Sequence, residues 1–207
     1  MDPVQQRILK RLRRVGGGRV FTPKDFVALA SRAATDQALS RLVRSGAVRR
    51  IGRGLYYVPT ISKKLGIEVP PDLDDIAQAV GRQTGSRVVP SGAVAANRLG
   101  LSTQVGATAV YLTDGRSRKV RAGKFVIQLK HVAPKELPAG GRTSAMVFQA
   151  LRYLGRPAVD GRVVRLLRRR LSRQQRRELV RDGQYAASWI AELACRVAEG
   201  REIPGDG

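Results

Sequence analysis

The 207-residue sequence predicts an α+β protein. Three observations support this class. Apolar residues recur at helical spacing through the first 45 residues, two strand-like runs occupy residues 108–114 and 124–132, and the pattern is helical again from about residue 142. An apolar fraction of 43% is sufficient for a buried core and argues against wholesale disorder.

The first helix is expected over residues 3–14, because Pro3 suits a first helical turn and the three glycines from Gly16 end the pattern. Its apolar residues follow helical spacing at Val4, Ile8, Leu9 and Leu12. A short strand is expected at Val20-Phe21.

A second helix is expected after Thr22, which resembles an N-cap followed by proline at the first helical position. We expect three apolar residues of this helix to face inward: Phe26, Val27 and Leu29.

The third helix is expected from about residue 33 to Ser45, ending at Gly46. The face expected to be buried carries Leu39, Leu42 and Val43. The opposite face carries Ala34, Gln37, Arg41 and Arg44, with Ser40 at its edge. A hairpin over residues 51–58, with Gly52-Arg53-Gly54 at its tip, follows at once. This order predicts a winged helix-turn-helix over residues 1–60.

Residues 61–71 are expected to form a linker or an entry strand, and residues 72–207 a mixed α/β domain that ends in helices. In that domain, a helix is expected at 72–83, where three aspartates lie near its N-terminus. Ser91 is expected to cap a short helix through Arg98. Ser172 with Gln175 predicts a capping box.

The net charge of +23 implies a polyanionic partner, for which nucleic-acid phosphates are the usual choice. An anionic membrane surface is the alternative, but no run of eighteen apolar residues predicts a membrane span. The single cysteine, Cys195, is expected to lie on a helix with its side chain packed in the protein interior. One cysteine cannot form an internal disulfide, which fits a reducing cytoplasm.

Duplex DNA is the partner that the third helix and hairpin favour, since such a helix enters the major groove. Arginine pairs with guanine and glutamine with adenine through two hydrogen bonds, which suits Arg41 and Gln37. Arg53 would enter a minor groove, and Thr22 would contact a phosphate. The predicted DNA-binding residues are Thr22, Lys24, Ala34, Gln37, Ser40, Arg41, Arg44, Arg49, Arg50 and Arg53.

Other classes of function compete with this prediction. A winged fold can instead mediate contacts with other proteins. Residues 162–181 carry nine arginines and one acid. Such a segment can bind phosphates, RNA or an acidic protein, or it can be a solvated helix face. An RNA-binding or ribosome-associated protein is therefore the alternative. A nuclease would need clustered carboxylates, and one histidine (His131) with one cysteine makes no zinc site, so we expect no metal, no cofactor and no enzyme activity.

The segment VPSGAVAANRLGLSTQVGATAVYLTDGRSRKV at 89–120 resembles the AbiEi-type antitoxins of bacterial type IV toxin–antitoxin systems. Residues 36–58 resemble the winged helix of the same family. Together the similar segments cover most of residues 1–135. The family often has proline where this sequence has Gly106.

The resemblance implies a repressor of its own operon, with a second domain that opposes a nucleotidyltransferase-like toxin, and no catalytic residues. Two copies would bind an inverted repeat at the chain's own promoter. The expected partner contacts are Asn97, Ser102, Thr103 and Gln104, with a hydrogen-bond network as the alternative for Asn97 and Gln104.

Overall fold

The computed structural model describes residues 2–62, 64–104 and 108–200. It confirms the predicted α+β class, with helices first, then sheets, and helices again toward the C-terminus. The chain divides into two compact units. The first comprises Met1–Val88 and Arg118–Ile127, and the second comprises Val89–Ser117 and Gln128–Gly207.

Helix α1 (Pro3–Val15) begins the first unit, as its proline and apolar spacing predict. The carboxylate of Asp2 accepts a hydrogen bond from the Val4 amide at 2.9 Å. This cap satisfies an amide that has no partner within the helix. Ile8 and Leu12 lie one turn apart and are buried, so they fix the inward face of α1.

The connection between α1 and the next α-helix contains less helical structure than predicted. It contains strand β1 (Val20–Phe21) and a single 3-10 turn (Pro23–Phe26). Phe26 is fully buried, but Val27 is 67% exposed, so the prediction that Val27 faces inward is wrong. The 3-10 turn ends before Val27, and the 3.6-residue spacing of a regular helix does not apply to it.

Helix α2 (Arg32–Arg44) is the predicted third helix, displaced by one residue at each end. The Ser31 hydroxyl caps it by accepting from the Ala34 amide at 3.3 Å. Beyond its C-terminus, Gly46 adopts a φ of +74°, a conformation that glycine reaches without steric cost.

The predicted hairpin is present and forms part of a three-stranded antiparallel sheet. Strands β2 (Arg49–Gly52) and β3 (Leu55–Tyr57) pair with each other, and β3 also pairs with β1, which gives the order β1–β3–β2. Gly54, at the tip, has a φ of +68°. The hairpin therefore has its tip at the predicted residues.

The helices and the sheet of this segment share one hydrophobic core. Phe21 and Phe26 pack with their ring centroids 6.1 Å apart. Burial of one large apolar side chain contributes roughly 1.5–3 kcal/mol relative to its exposure, so this cluster holds the elements together. Its buried members are Ile8, Leu12, Phe21, Phe26, Ala38, Leu39, Leu42 and Val48.

The segment expected to be a linker or an entry strand contains a small antiparallel pair of strands, β4 (Thr60–Ile61) and β5 (Glu68–Val69). Helix α3 (Leu73–Thr84) follows, with Asp72 as its N-cap. The Asp72 carboxylate accepts from the Asp74 amide at 2.7 Å, as expected of an aspartate at a helix start.

Helix α3 groups with the first unit and not with the domain predicted from residue 72. The Arg82 guanidinium donates to the Asp25 carboxylate at 2.9 Å and to the Val20 carbonyl at 2.8 Å. These contacts between residues far apart in sequence attach α3 to the N-terminal elements. The predicted boundary therefore does not coincide with the boundary between the compact units.

Four further strands form one sheet in the order β6–β7–β9–β8, so β8 lies at an edge. Strands β7 and β9 match the two predicted runs. The residues between them were not predicted to be a strand, yet they form β8. The strands are β6 (Val88–Pro90), β7 (Ala109–Thr113), β8 (Arg118–Ala122) and β9 (Phe125–His131).

The second unit is mainly helical. Ser172 and Gln175 form the predicted capping box of α7, with the Ser172 hydroxyl 3.2 Å from the Gln175 amide. Two 3-10 turns lie at Pro134–Glu136 and Arg156–Ala158. The helices are α4 (Gly92–Arg98), α5 (Arg142–Leu154), α6 (Gly161–Arg170), α7 (Arg173–Gly183) and α8 (Ser188–Glu199).

The core of the second unit comes from one face of each of these helices. On α8, Ile190, Ala194 and Val197 are buried, which places Cys195 on the exposed side. The expectation that Cys195 packs inside is therefore wrong. The core includes Ala96, Leu99, Val147, Phe148, Leu151, Val164, Leu167, Leu179, Ile190 and Leu193.

Candidate nucleic-acid interface

Helix α2 has one buried face and one exposed face. The buried residues follow the spacing i, i+3, i+4, i+7, which places them on one side of a helix. They are Thr35, Ala38, Leu39 and Leu42. The exposed residues of the opposite face are Gln37, Ser40, Arg41 and Arg44, and Ala34 beside them is half-buried. The structure thus brings the five predicted α2 contacts onto one surface.

The chemistry of this face suits the edges of base pairs. Gln37 and Arg41 lie one helical turn apart, and each offers two groups that bond a purine in a bidentate manner. Ala34 is small, so it leaves room for close approach of the helix backbone. Arg44 continues the row and supplies a further cation.

Arg41 has an intramolecular partner that the sequence analysis missed. Its Nη1 donates to Oδ2 of Asp2 at 3.0 Å, with side-chain exposures of 49% and 34%. The second Asp2 oxygen, Oδ1, caps α1 through Val4. An exposed ion pair of this kind contributes about 0–1 kcal/mol, so a phosphate or a base can replace Asp2 at low cost.

The two arginines at the start of β2 are exposed. Arg49 lies 3.2 Å from Oε2 of Glu68 on β5, and Arg50 donates from Nε to the Gly52 carbonyl at 3.3 Å. Glu68 is thus a second acid beside a predicted DNA contact. The sequence did not indicate this ion pair, because Glu68 lies 19 positions after Arg49.

Glu68 also accepts a hydrogen bond from the Tyr57 hydroxyl at 2.5 Å. The pKa of Tyr57 is raised to about 12. The largest cause is burial, followed by this hydrogen bond and the negative charge of Glu68. The β4–β5 pair is therefore fixed to the hairpin by one carboxylate that contacts both β2 and β3.

The tip of the hairpin is held by α3. Gln83 donates from Nε2 to the Arg53 carbonyl at 3.3 Å, while the Arg53 side chain is exposed. A Cβ on Gly54 would lie 2.6 Å from Gln83 Nε2, and the φ of Gly54 is positive. The positive φ favours glycine at this position, and Arg53 extends from a backbone of defined geometry.

Thr22 must be removed from the predicted contacts. It is fully buried, its hydroxyl donates to Oδ2 of Asp25 at 3.2 Å, and its amide donates to the same atom at 2.8 Å. The acid within the 3-10 turn therefore occupies the groups that were expected to hold a phosphate. Lys24, in the same turn, is exposed as predicted.

A comparison with known protein families identifies the family of this chain. A model of DUF6088, described as a family of unknown function, matches residues 7–179. The chain belongs to DUF6088. No curated protein matches it. The matched range begins within α1 and ends within α7, so the family includes both the α2 face and the signature segment 89–120.

In this DUF6088 protein, the expected partner contacts of the signature segment divide into two pairs. Asn97 and Ser102 are half-buried and act within the loop that follows α4. Asn97 donates from Nδ2 to the carbonyls of Ser102 and Gln104 at 3.3 and 3.4 Å, and the Ser102 hydroxyl accepts from the Gln104 amide at 3.2 Å. These bonds give Asn97 a role in loop geometry.

Thr103 and Gln104 are exposed. The Gln104 side chain accepts from the Tyr153 hydroxyl at 3.2 Å, which joins the loop to α5. Gly106, where the family often has proline, lies outside the described residues. Thr103 and Gln104 are therefore the members of the set that present side chains on the surface of the second unit.

The arginine-rich segment of the DUF6088 chain forms α6 and α7. Arg168 donates to the carbonyls of Val197 and Ala198, at 3.4 Å each, and thereby caps the C-terminal turn of α8. Arg170 reaches the Arg98 carbonyl at 3.5 Å. Arg168 and Arg170 therefore stabilise the packing of the helices. Exposed arginines in the segment are Arg162, Arg165, Arg169, Arg170, Arg173, Arg177 and Arg181.

Within residues 2–62, 64–104 and 108–200, no group of three or more His, Cys, Asp or Glu side chains is placed to hold a metal ion. His131 lies at the end of β9, and its Nδ1 is 2.9 Å from the Gly115 carbonyl. Across the same residues, none of the helices combines the length and the apolar character that crossing a bilayer requires.

Proposed function

We propose that this DUF6088 protein binds duplex DNA with an N-terminal winged helix-turn-helix, in which α2 enters the major groove and the β2–β3 hairpin is the wing. The observation that carries the proposal is the exposed face of α2. Gln37, Arg41 and Arg44 stand in a row on it, and the opposite face is fixed by the buried core. Such a rigid helix can present side chains to base edges in a defined register.

The order of elements supports the same proposal. A helix, a short strand, a helical turn, a second helix and a hairpin follow each other as in winged DNA-binding domains. The exposed arginines of β2 and of the hairpin tip supply further cations that would contact phosphates. The net charge of +23 supplies the long-range attraction for DNA.

We propose further that the protein represses its own operon in the cytoplasm and opposes a nucleotidyltransferase-like toxin. The support for this part is the resemblance of residues 36–58 and 89–120 to AbiEi-type antitoxins. Thr103 and Gln104 are then the surface residues of the signature best placed for a partner protein. No catalytic step is assigned to the chain.

The exposed arginines of α6 and α7 favour a second candidate function, RNA binding. An arginine-rich helical face binds phosphates without reading sequence, and A-form RNA is recognised mainly by shape and backbone. On this hypothesis, double-stranded RNA would bind as tightly as the promoter, and the α2 face would have no part in affinity.

A binding titration separates the two functions. The full chain is titrated against its own promoter fragment, a shuffled duplex of equal length and a double-stranded RNA of equal length, each at several salt concentrations. The proposal predicts tighter binding to the promoter than to both competitors at every salt concentration. Equal affinity for all three would support a general polyanion binder and refute sequence-specific binding.

The antitoxin part is tested in cells. Co-expression with a nucleotidyltransferase-like protein encoded beside this chain should restore growth that the toxin alone arrests. Arg41→Ala should weaken repression of the promoter and leave this rescue intact, because the two proposed activities reside in different units. No rescue by the wild-type chain would contradict the antitoxin assignment and leave the DNA-binding proposal standing.

A further inference from the structure

A basic cavity of about 530 Å³ lies beside the hairpin tip within the first unit. It is lined by cations from two distant parts of the chain: Arg53 at the tip, and Arg118, Lys119 and Arg121 on β8. Gln83 and Thr84, at the end of α3, add neutral polar groups. The DNA-binding prediction from the sequence included Arg53 and none of the β8 residues.

The backbone fixes β8 next to the hairpin. The Gly123 amide donates to the Ile51 carbonyl at 2.8 Å. A Cβ on Gly52 would lie 3.1 Å from the Arg121 carbonyl oxygen, tighter than most contacts of this kind. Glycine at position 52 thus permits the close approach of β2 and β8. This approach brings Arg53 and the cations of β8 to the same cavity.

The electrostatics of this cavity favour an anion. The side chains of Arg53, Arg118, Lys119 and Arg121 are all exposed, and none of the described residues that line the cavity is acidic. Four like charges around one opening repel each other, and a phosphate placed among them relieves that repulsion. Arginine and lysine are the side chains that bind phosphate oxygens most often.

Protection of a sheet edge is the simpler explanation for charge on β8, because edge strands rich in lysine and arginine resist pairing with other chains. This explanation accounts for the three β8 cations. It does not account for their position around the same cavity as Arg53, nor for the close approach of Gly52 to β8.

We propose that this cavity holds a backbone phosphate of the duplex beside the wing, so that the DNA-binding surface extends from the first 60 residues to Arg118–Arg121. The inference rests on the proposed DNA-binding function. A phosphate contact positions the protein on the duplex and carries no base preference. The hairpin and β8 would therefore contact the DNA backbone, while α2 recognises the base sequence.

The test compares salt dependence in full-length variants. Lys119→Ala with Arg121→Ala should weaken binding to the promoter about tenfold at fixed salt. It should also reduce the slope of log affinity against log salt by roughly one unit, since one phosphate contact contributes about 0.9. Preference for the promoter over shuffled duplex should not change. The charge-preserving pair Lys119→Arg with Arg121→Lys should retain the wild-type slope.

Arg165→Ala with Arg169→Ala is the matched control, because it removes two exposed cations from α6. It should leave the slope within error of wild type. Equal slopes for the β8 and α6 pairs would overturn the inference. So would binding of inorganic phosphate that depends on Lys119 and Arg121 while the DNA slope stays unchanged, because the site would then serve a free phosphate compound.

The outcomes also separate this inference from the proposed function. A wild-type chain that binds promoter and shuffled duplex equally, with a slope lowered by the β8 pair, would support the phosphate site and refute sequence-specific reading by α2. If the wild-type chain prefers its promoter and the β8 double variant keeps the wild-type salt slope, sequence-specific reading by α2 would be supported and the phosphate site refuted. A chain that binds no duplex would refute both.

Discussion

Arg41 on α2 is paired with Asp2, the residue that caps α1, through a 3.0 Å contact between Nη1 and Oδ2. The residue that we propose to recognise a guanine is thus held by the N-cap residue of α1. On the proposed function, DNA would replace this acid at Arg41, and the negative charge of Asp2 would repel nearby phosphates. Asp2 is therefore expected to reduce the affinity that Arg41 provides.

Asp2→Asn should tighten promoter binding by up to about fivefold, which corresponds to the 0.2–1 kcal/mol of an exposed ion pair. Asparagine retains the side-chain oxygen that caps α1, so the fold should not change. Fluorescence anisotropy of a labelled promoter measures the effect. Asp36→Asn, which removes an acid paired with Arg32 on the same helix, controls for net charge. Weaker binding by Asp2→Asn would show that Asp2 instead orients Arg41 for DNA.

Arg53→Ala should lower the affinity for DNA and reduce the salt slope by about one unit, because one phosphate contact is lost. Preference between promoter and shuffled duplex should stay constant. The backbone of the tip is fixed by Gln83 and Gly54, so the truncation should not unfold the hairpin. A salt titration checks the slope, and Arg53→Lys should restore it. An unchanged slope in Arg53→Ala would mean that the wing does not reach the backbone.

Glu68→Gln should lower the pKa of Tyr57 from its value of about 12, because a negative charge and a strong acceptor are removed. The ordinary value is 10.0, so in the wild type the unfolded chain releases this proton first as the pH rises. Stability from Tyr57 is therefore complete below pH 10 and declines above it. Phenolate absorbance, with Tyr57→Phe to assign the transition, measures the shift. Identical titration curves for wild type and Glu68→Gln would contradict the role of Glu68.

Asp182 should make the second unit sensitive to acid. Its side chain is buried, and Oδ2 accepts from the Gly141 amide at 2.9 Å, at the start of α5. Burial alone would raise the pKa of Asp182, but the hydrogen bond from Gly141 and the adjacent Arg181 outweigh it and lower the pKa below 3.8. The resulting stability is present at neutral pH and is lost as the pH falls below that value toward the folded pKa.

Denaturant unfolding of Asp182→Asn between pH 7 and pH 3 checks this assignment. The variant should lose about 1–3 kcal/mol at pH 7, because the amide is a weaker acceptor and one of its groups lacks a partner. The difference from wild type should narrow as the pH falls. Glu192→Gln, at an exposed position of α8, is the control and should have little effect. A constant difference at all pH values would contradict the linkage to Asp182.

The sequence predicts the local features of this fold well. The helix start at Pro3, the capping box at Ser172 and the hairpin tip at Gly54 all depend on residues within four positions of each other. The spacing of Leu39 and Leu42 likewise predicts which face of α2 is exposed. Most of the predicted DNA contacts therefore lie on the surface where they were expected.

Features that depend on distant residues were not predictable in the same way. No local pattern places Asp2 beside Arg41 or Glu68 beside Arg49. Thr22 showed the limit of cap prediction, because the nearby Asp25 already holds its amide and hydroxyl.

The basic residues between the two predicted strands were visible in the sequence at 115–123. Only the fold shows that Arg118–Arg121 line the same cavity as Arg53. The hydrogen bond between Gly123 and Ile51 spans more than 70 residues, and no spacing rule predicts such a contact.

The central claim, that Arg41 reads a base, is tested most directly by competition with promoter duplexes that are substituted at one base pair at a time. We predict that Arg41→Ala weakens binding to the natural promoter by about 1–3 kcal/mol and loses discrimination at one position, while Arg169→Ala on α6 retains the full preference. If every substituted duplex competes equally well before and after Arg41→Ala, then Arg41 does not read sequence and the proposed function of α2 is wrong.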